Sequence, residues 1–173
     1  MKLGKLALRV TVGSLLIGHG TQKLLGWFGG PNLEGTDAMM ESLDLRPARR
    51  NTLACGISEA GGGALLAAGL ATPAAAAALT GTMITAIRKV HLGNGMWNAN
   101  GGYEFNLVMI AAALSFADAG PGKISLDRLF GIERRGAGWA LAALAAGTAA
   151  STATIELGRQ ESEKERASST TGA

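Results

Sequence analysis

Apolar residues come in long blocks along this chain, and polar residues gather in the short segments between them. A helix crosses a hydrocarbon layer of about 30 Å with ~20 residues, roughly 17 to 25 being workable. Four blocks predict such spans, over residues 6–25, 51–70, 74–92 and 103–119. The second and third are separated only by Ala71, Thr72 and Pro73, so they must form an antiparallel hairpin. A fifth block, 137–157, is long enough but consists largely of Ala, Gly, Thr and Ser, so its insertion is marginal and it can pack outside the bundle. The segment 32–50 has mixed charge and contains an amphipathic piece, TDAMMESLDL, suited to lying along a membrane interface. GNGMWNANGGYEF reads as a loop because Gly and Asn supply turns, and DAGPGKISLDRLFGIERRG reads as a connector with a turn at Gly120-Pro121-Gly122 and a short surface helix. The pattern predicts an all-α chain: a transmembrane four-helix bundle over 1–131, an additional C-terminal hydrophobic helix over 132–158, and a disordered charged tail over 159–173.

Composition sharpens the membrane reading. Hydrophobic residues make up 47% and charged residues 17% of the chain, and the mean hydropathy is +0.22. Soluble domains run to about 25% charged. The 26 glycines and the alanine runs suit helices that approach closely through small residues. Trp27 follows the first block and Trp139 opens the last, as an interfacial belt requires. The start, MKLGKLALRVTVGSLLIGHG, has the look of a signal peptide but runs on into His19 and Lys23 without a small-x-small cleavage site, so it is read as a retained span. Cys55 is the lone cysteine, which excludes an internal disulfide and a CxxC pair. The net charge of +3 carries no basic stripe interleaved with aromatics, so nucleic acid is not an expected partner. Basic residues nearly cancel between the two sides of the bundle; Lys2, Lys5 and the basic fourth connector favour the amino terminus inside.

Six ionisable residues stand in or at the rims of the apolar blocks: His19, Lys23, Glu59, Arg88, His91 and Glu104. Charges are costly in hydrocarbon, so several of them imply a shared polar interior. His19 and Lys23, four residues apart, stack on one helix face. Glu59, ahead of Gly61, Gly62 and Gly63, must be protonated, paired or hydrated, with Lys23, Arg88 or His91 as its cation. Arg88 and His91 at i, i+3 are expected to share a face that meets Glu104 across the Gly/Asn loop, with Lys89 pointing away to water. The plainer account of the same residues is a set of snorkelling anchors and structural ion pairs. Cys55, one turn before Glu59 on the same face, reads as a buried small residue. No HxxxH or ExxH pattern lies within one helix, so no metal is expected.

In order along the chain, RVTVGSLLIGHGTQKLLGWFGG, ISEAGGGALLAAGLATPAAA, AIRKVHLGNGMW, GGYEFNLVMIAAAL and GPGKISLDRLFG resemble the DoxX family of small bacterial inner-membrane proteins. The resemblance implies a four-helix membrane bundle, multi-pass in the plasma membrane, with His19, Lys23, Glu59, His91 and Glu104 as the family-like polar positions. It also implies a membrane subunit of a redox or thiol-stress system. Some relatives are linked to thiosulfate:quinone oxidoreductase, and mycobacterial ones to a complex with superoxide dismutase and a sulfurtransferase-like partner. The cofactor it suggests is a quinone. The partners it suggests are the lipid bilayer, soluble redox proteins and further copies of the chain. A non-enzymatic scaffold, or a small-solute binding or transport protein, is the alternative expectation.

Overall fold

The structure, a computed structural model, describes residues 3–171, with side chains through Ser168; among these residues every regular element is helical. The order is α1 (Leu3–Leu25), α2 (Asn32–Ser42), α3 (Ala48–Ala68), α4 (Thr72–Ala86), α5 (Glu104–Ala119), the single-turn α6 (Leu126–Leu129) and α7 (Ala137–Thr171). A π turn over Ile87–His91 continues α4. Lys2, counted with the basic start, lies outside the described residues.

Glycines decide how the first half packs. Gly13 and Gly20 on α1 and Gly56 and Gly63 on α3 are each seven residues apart, about two helical turns, and the helices run antiparallel so that Gly13 meets Gly63 and Gly20 meets Gly56. A Cβ on Gly63 would stand 2.7 Å from the Gly13 carbonyl oxygen and 2.9 Å from the Ile17 nitrogen. Backbone contact of this kind is open only to residues without side chains. Gly81 on α4 and Gly147 on α7 repeat the device, a Cβ on Gly147 falling 2.9 Å from the Gly81 nitrogen. Between these seams the core is filled by Leu16, Leu66, Leu79, Ala113 and Phe116.

Opposite ends of the bundle are built differently. At the end where α1 begins, Arg9 is buried and its guanidinium donates to the carbonyls of Ala67 (3.2 Å), Pro121 (2.6 Å) and Ile124 (2.7 Å). Beside it Asp127, also buried, accepts from the Ala71 nitrogen (2.7 Å) and from the nitrogen and hydroxyl of Thr72 (3.1 and 2.7 Å). Asp127 therefore supplies, from 55 residues away, the oxygens that the first N–H groups of α4 lack within their own helix. Lys5 does the converse for α5, its ammonium donating to the last carbonyls at Ala119 and Gly120 (2.8 and 3.1 Å). The connector expected between α5 and α7 is thus a polar knot that closes this end.

One expectation needs correction. The tail beyond Arg159 is helical, not disordered, as far as Thr171; its last two residues lie outside the described part. Ion pairs at helical spacing explain it: Arg159 with Glu156 (2.6 Å) and Glu163 (2.5 Å), and Lys164 with Glu161 (3.0 Å). The arm also docks on the α2–α3 turn through Arg166–Asp44 and Arg46–Glu165, each 2.7 Å, and through Gly158 against the backbone of Asp44 and Leu45. The helices of the expected bundle differ in length and apolarity. Among the described residues only the stretch Ala137–Ser168 of α7 is both long and apolar enough to cross a membrane by length and composition, although its block was the marginal one. α1 carries Arg9, His19 and Lys23, α3 carries Arg49, Arg50 and Glu59, and α4 and α5 have 15 and 16 residues as regular helices. α7, expected to be able to pack outside the bundle, packs along α4 and α5.

The two seams make a test. Gly63→Ala should lower stability by about 1–3 kcal/mol through forced separation of α1 and α3. Gly61→Ala, where nothing lies within 4 Å, should leave stability unchanged or slightly raised. Thermal unfolding of the two variants in the same detergent reads the contrast. Asp127→Ala, which orphans the α4 amino terminus and Thr72, should cost ~3 kcal/mol or more in the same measurement.

Candidate functional site

At the end away from the knot, the carboxyl ends of α1 and α4, the amino ends of α3 and α5, α2 and the middle of α7 surround a cavity of about 520 Å³. Its walls are mostly apolar, with Met39, Met40, Leu43 and Leu45 from α2 and the turn after it, Met83 from α4 and Phe105 from α5. Polar groups come from α1 and α3, with His19, Lys23, Asn51 and Glu59, and from the other walls, with Lys89, His91, Asn106 and Ser151. Lys23 Nζ lies 2.5 Å from Glu59 Oε2, with side-chain exposures of 19% and 6%. That exposure difference places the carboxylate inside and the ammonium at the margin.

The local sequence explains the pairing. His19 and Lys23 follow one another along the face of α1 that turns to α3, and the Gly20–Gly56 contact brings that face within reach of Glu59, one turn beyond Cys55. Cys55 lines the cavity with Glu59, as their shared face requires. α2 is fastened across the top, the Thr36 hydroxyl donating to Asn32 O (2.6 Å) and lying 3.3 Å from Lys23 O. His19 reaches across to α5, its ring edge-on to Phe105 with centroids 5.8 Å apart. Asn106, buried on the next position of α5, donates to the Met83 sulfur at 3.4 Å.

Of the six residues expected to converge, four do: His19, Lys23, Glu59 and His91 line the cavity, while Arg88 and Glu104 do not. The π turn is the reason for the first absence. One extra residue in the turn Ile87–His91 shifts the facing of everything within it, so Lys89, expected to point to water, lines the cavity. Arg88 turns outward instead and donates to Thr152 Oγ1 of α7 at 3.1 Å. Glu104 is the first residue of α5, half-buried at a helix amino terminus, where a carboxylate is favoured by the backbone dipoles without any cation. The rim in which Arg88, His91 and Glu104 meet is therefore not formed. His91 Nδ1 lies 2.7 Å from Gly101 O; a carbonyl only accepts, so Nδ1 carries a proton and donates.

Sequence reasoning missed Lys89, Asn106 and Ser151 of α7, all of which line the cavity. Asn106 left a signal, since it stands alone as a polar residue in FNLVMIAAAL. Lys89 and Ser151 left none, the one depending on a π turn and the other on the packing of α7. Among the described residues no three His, Cys, Asp or Glu side chains are grouped to hold a metal ion.

Comparison with known proteins places one family on this chain. The DoxX family model matches residues 4–92, which carry α1 through the π turn; α5, the knot's connector and α7 lie beyond the match. Neither the curated proteins nor the solved structures contain a match to the chain.

The buried pair predicts a non-additive response. Lys23→Met leaves the buried Glu59 carboxyl without its partner, and should destabilise by ~3 kcal/mol; Lys23→Met with Glu59→Gln should recover most of that loss. Unfolding of the singles and the double in one detergent completes the cycle, and simple additivity would remove the pair from consideration.

Proposed function

The chain belongs to the DoxX family and is a membrane protein, and on that footing we propose that it is a multi-pass plasma-membrane subunit of a redox or thiol-stress system. Its four family-like helices, with α7 beside them, form the membrane bundle. The cavity receives the ring of a quinone, or a small sulfur compound. The observation that carries the reading is a cavity walled mostly by apolar side chains, Met and Leu among them, in which Lys23 and Glu59 pair with His19 nearby while Lys89, His91 and Asn106 add polar groups elsewhere on the wall. Mostly apolar sites of a few hundred Å³ with a small number of placed polar groups take apolar molecules that carry hydrogen-bonding atoms.

The residues present fit such a headgroup. A quinone, when bound, supplies acceptance of two electrons and two protons. Lys23 is placed to donate to a headgroup oxygen, exchanging part of its contact with Glu59 for it, because an ammonium has three donors. Glu59, nearly sealed from water and paired with Lys23, stands beside the headgroup that Lys23 would hold. His19 is next along the face, and α2 with its methionines excludes bulk water from above. With the lone Cys55 no dithiol relay exists within one chain, so the electrons are exchanged with a bound thiol or a soluble redox partner.

Purified protein in mild detergent should be stabilised by a short-chain quinone analogue, by ~2.7 kcal/mol at a hundred times its dissociation constant. Lys23→Met should weaken that binding about 10- to 100-fold, the worth of one charge-assisted hydrogen bond. A thermal-shift titration reads both. An absence of stabilisation by quinone and by thiosulfate alike would overturn the reading.

A further inference from the structure

The connector that forms the knot has an outer face that neither the fold nor the cavity uses. Asp127 and Pro121 are buried, and Asp127 also donates through its backbone nitrogen to Gly69 O (2.8 Å), so the segment is fixed in place. Held outward from that anchor are Leu129 (73% exposed) and Phe130 (61% exposed), with Ile124 and Ile132 exposed beside them. Among the described residues none covers them. Interleaved with these apolar side chains are exposed cations, Lys123, Arg128, Arg134 and Arg135. Against the four stand two carboxylates outside the knot, Asp118 and Glu133, and Glu133 is shared between Arg128 (3.4 Å) and Arg135 (3.3 Å). Each guanidinium has five donors, so long single contacts leave most of that capacity unused. Arg134 lies over the Trp139 ring, 5.1 Å from its centroid.

Position selects the occupant. The patch ends at Gly136, and Ala137 begins the one described helix that is long and apolar enough to span a membrane, with Trp139 in its first turn. An exposed apolar and cationic surface continuous with the end of a span lies at headgroup depth, where aromatic rings and arginines sit and where phosphates are the available anions. We propose that the connector 123–136 is a docking surface for anionic phospholipid headgroups. Leu129, Phe130, Ile124 and Ile132 enter the acyl boundary, and Arg128, Arg134 and Arg135 hold the phosphates. Arg134, stacked on Trp139, sets its guanidinium at the level of the ring.

The test uses the full chain with Trp27→Phe and Trp97→Phe, which leaves Trp139 as its sole tryptophan, in bilayer discs containing phosphatidylcholine with either brominated phosphatidylglycerol or brominated phosphatidylcholine at equal mole fraction. Quenching of Trp139 should be several-fold stronger with the brominated anionic lipid. In Arg134→Gln, which breaks no ion pair, the excess should shrink, and in Arg128→Gln/Arg134→Gln/Arg135→Gln it should vanish while quenching by the neutral lipid persists. Equal quenching by the two lipids overturns the proposal, as does no quenching by either. An excess abolished by millimolar inorganic phosphate would also overturn it, since that marks a free-anion site. None of these outcomes depends on whether the cavity binds a quinone.

Discussion

The register of α1 against α3 is the constraint from which the rest of the molecule follows. Four glycines at seven-residue intervals let two antiparallel backbones touch at Gly13–Gly63 and Gly20–Gly56. The same contacts set the register in which Lys23 stands opposite Glu59. With the backbones in contact the pair closes at 2.5 Å, and the carboxylate is left almost wholly enclosed. A buried ion pair is weak evidence for stability, because the desolvation of its members offsets most of the attraction. Here its value lies in position: it sets a paired carboxylate and ammonium into the wall of a mostly apolar cavity.

The two ends of the bundle divide the work that polar groups do. Around Arg9 and Asp127 each charged side chain is bonded to backbone groups, Asp127 to the start of α4 and Arg9 to the end of α3 and to the connector, so that end is a closed structural knot. Around Lys23 and Glu59 the charged groups meet each other and an open volume. α7 joins the ends. It starts beside the knot, passes α4 at the Gly81–Gly147 crossing, contributes Ser151 to the cavity wall and is tied by Arg166 and Glu165 to the turn after α2. At 1.5 Å per residue its 35 residues reach about 52 Å, more than a bilayer core needs. The charged final turns are the excess.

Much of this was legible in the sequence. Hydrophobic blocks located α1, α3, α4 with its π turn, and α5 to within a few residues, because lengths and turn signals are local properties. The Lys23–Glu59 contact was among the pairings named for Glu59, since an intramembrane carboxylate restricts its own partners. What escaped was non-local or broke helical periodicity. Asp127 read as one charge among many in a basic connector, and nothing in its neighbourhood announces that it caps a helix 55 residues earlier. Arg9 read as part of a basic start and proved to be buried, its cost met by three carbonyls from two other segments. The tail was misread from composition, which does not register that its charges alternate at helical spacing and find partners on another loop.

The widened turn at Ile87–His91 deserves to be followed to its end. It stores one residue more than an α-helix has room for, and the side chain presented to the cavity is Lys89 because of that surplus. Removing a single residue there rotates the segment back by about 100°, and guanidinium and ammonium exchange places between lumen and outer wall. The chemistry at the cavity rim is thus set by chain length as much as by side-chain identity. A one-codon loss can retune such a rim without a substitution at any residue that lines it.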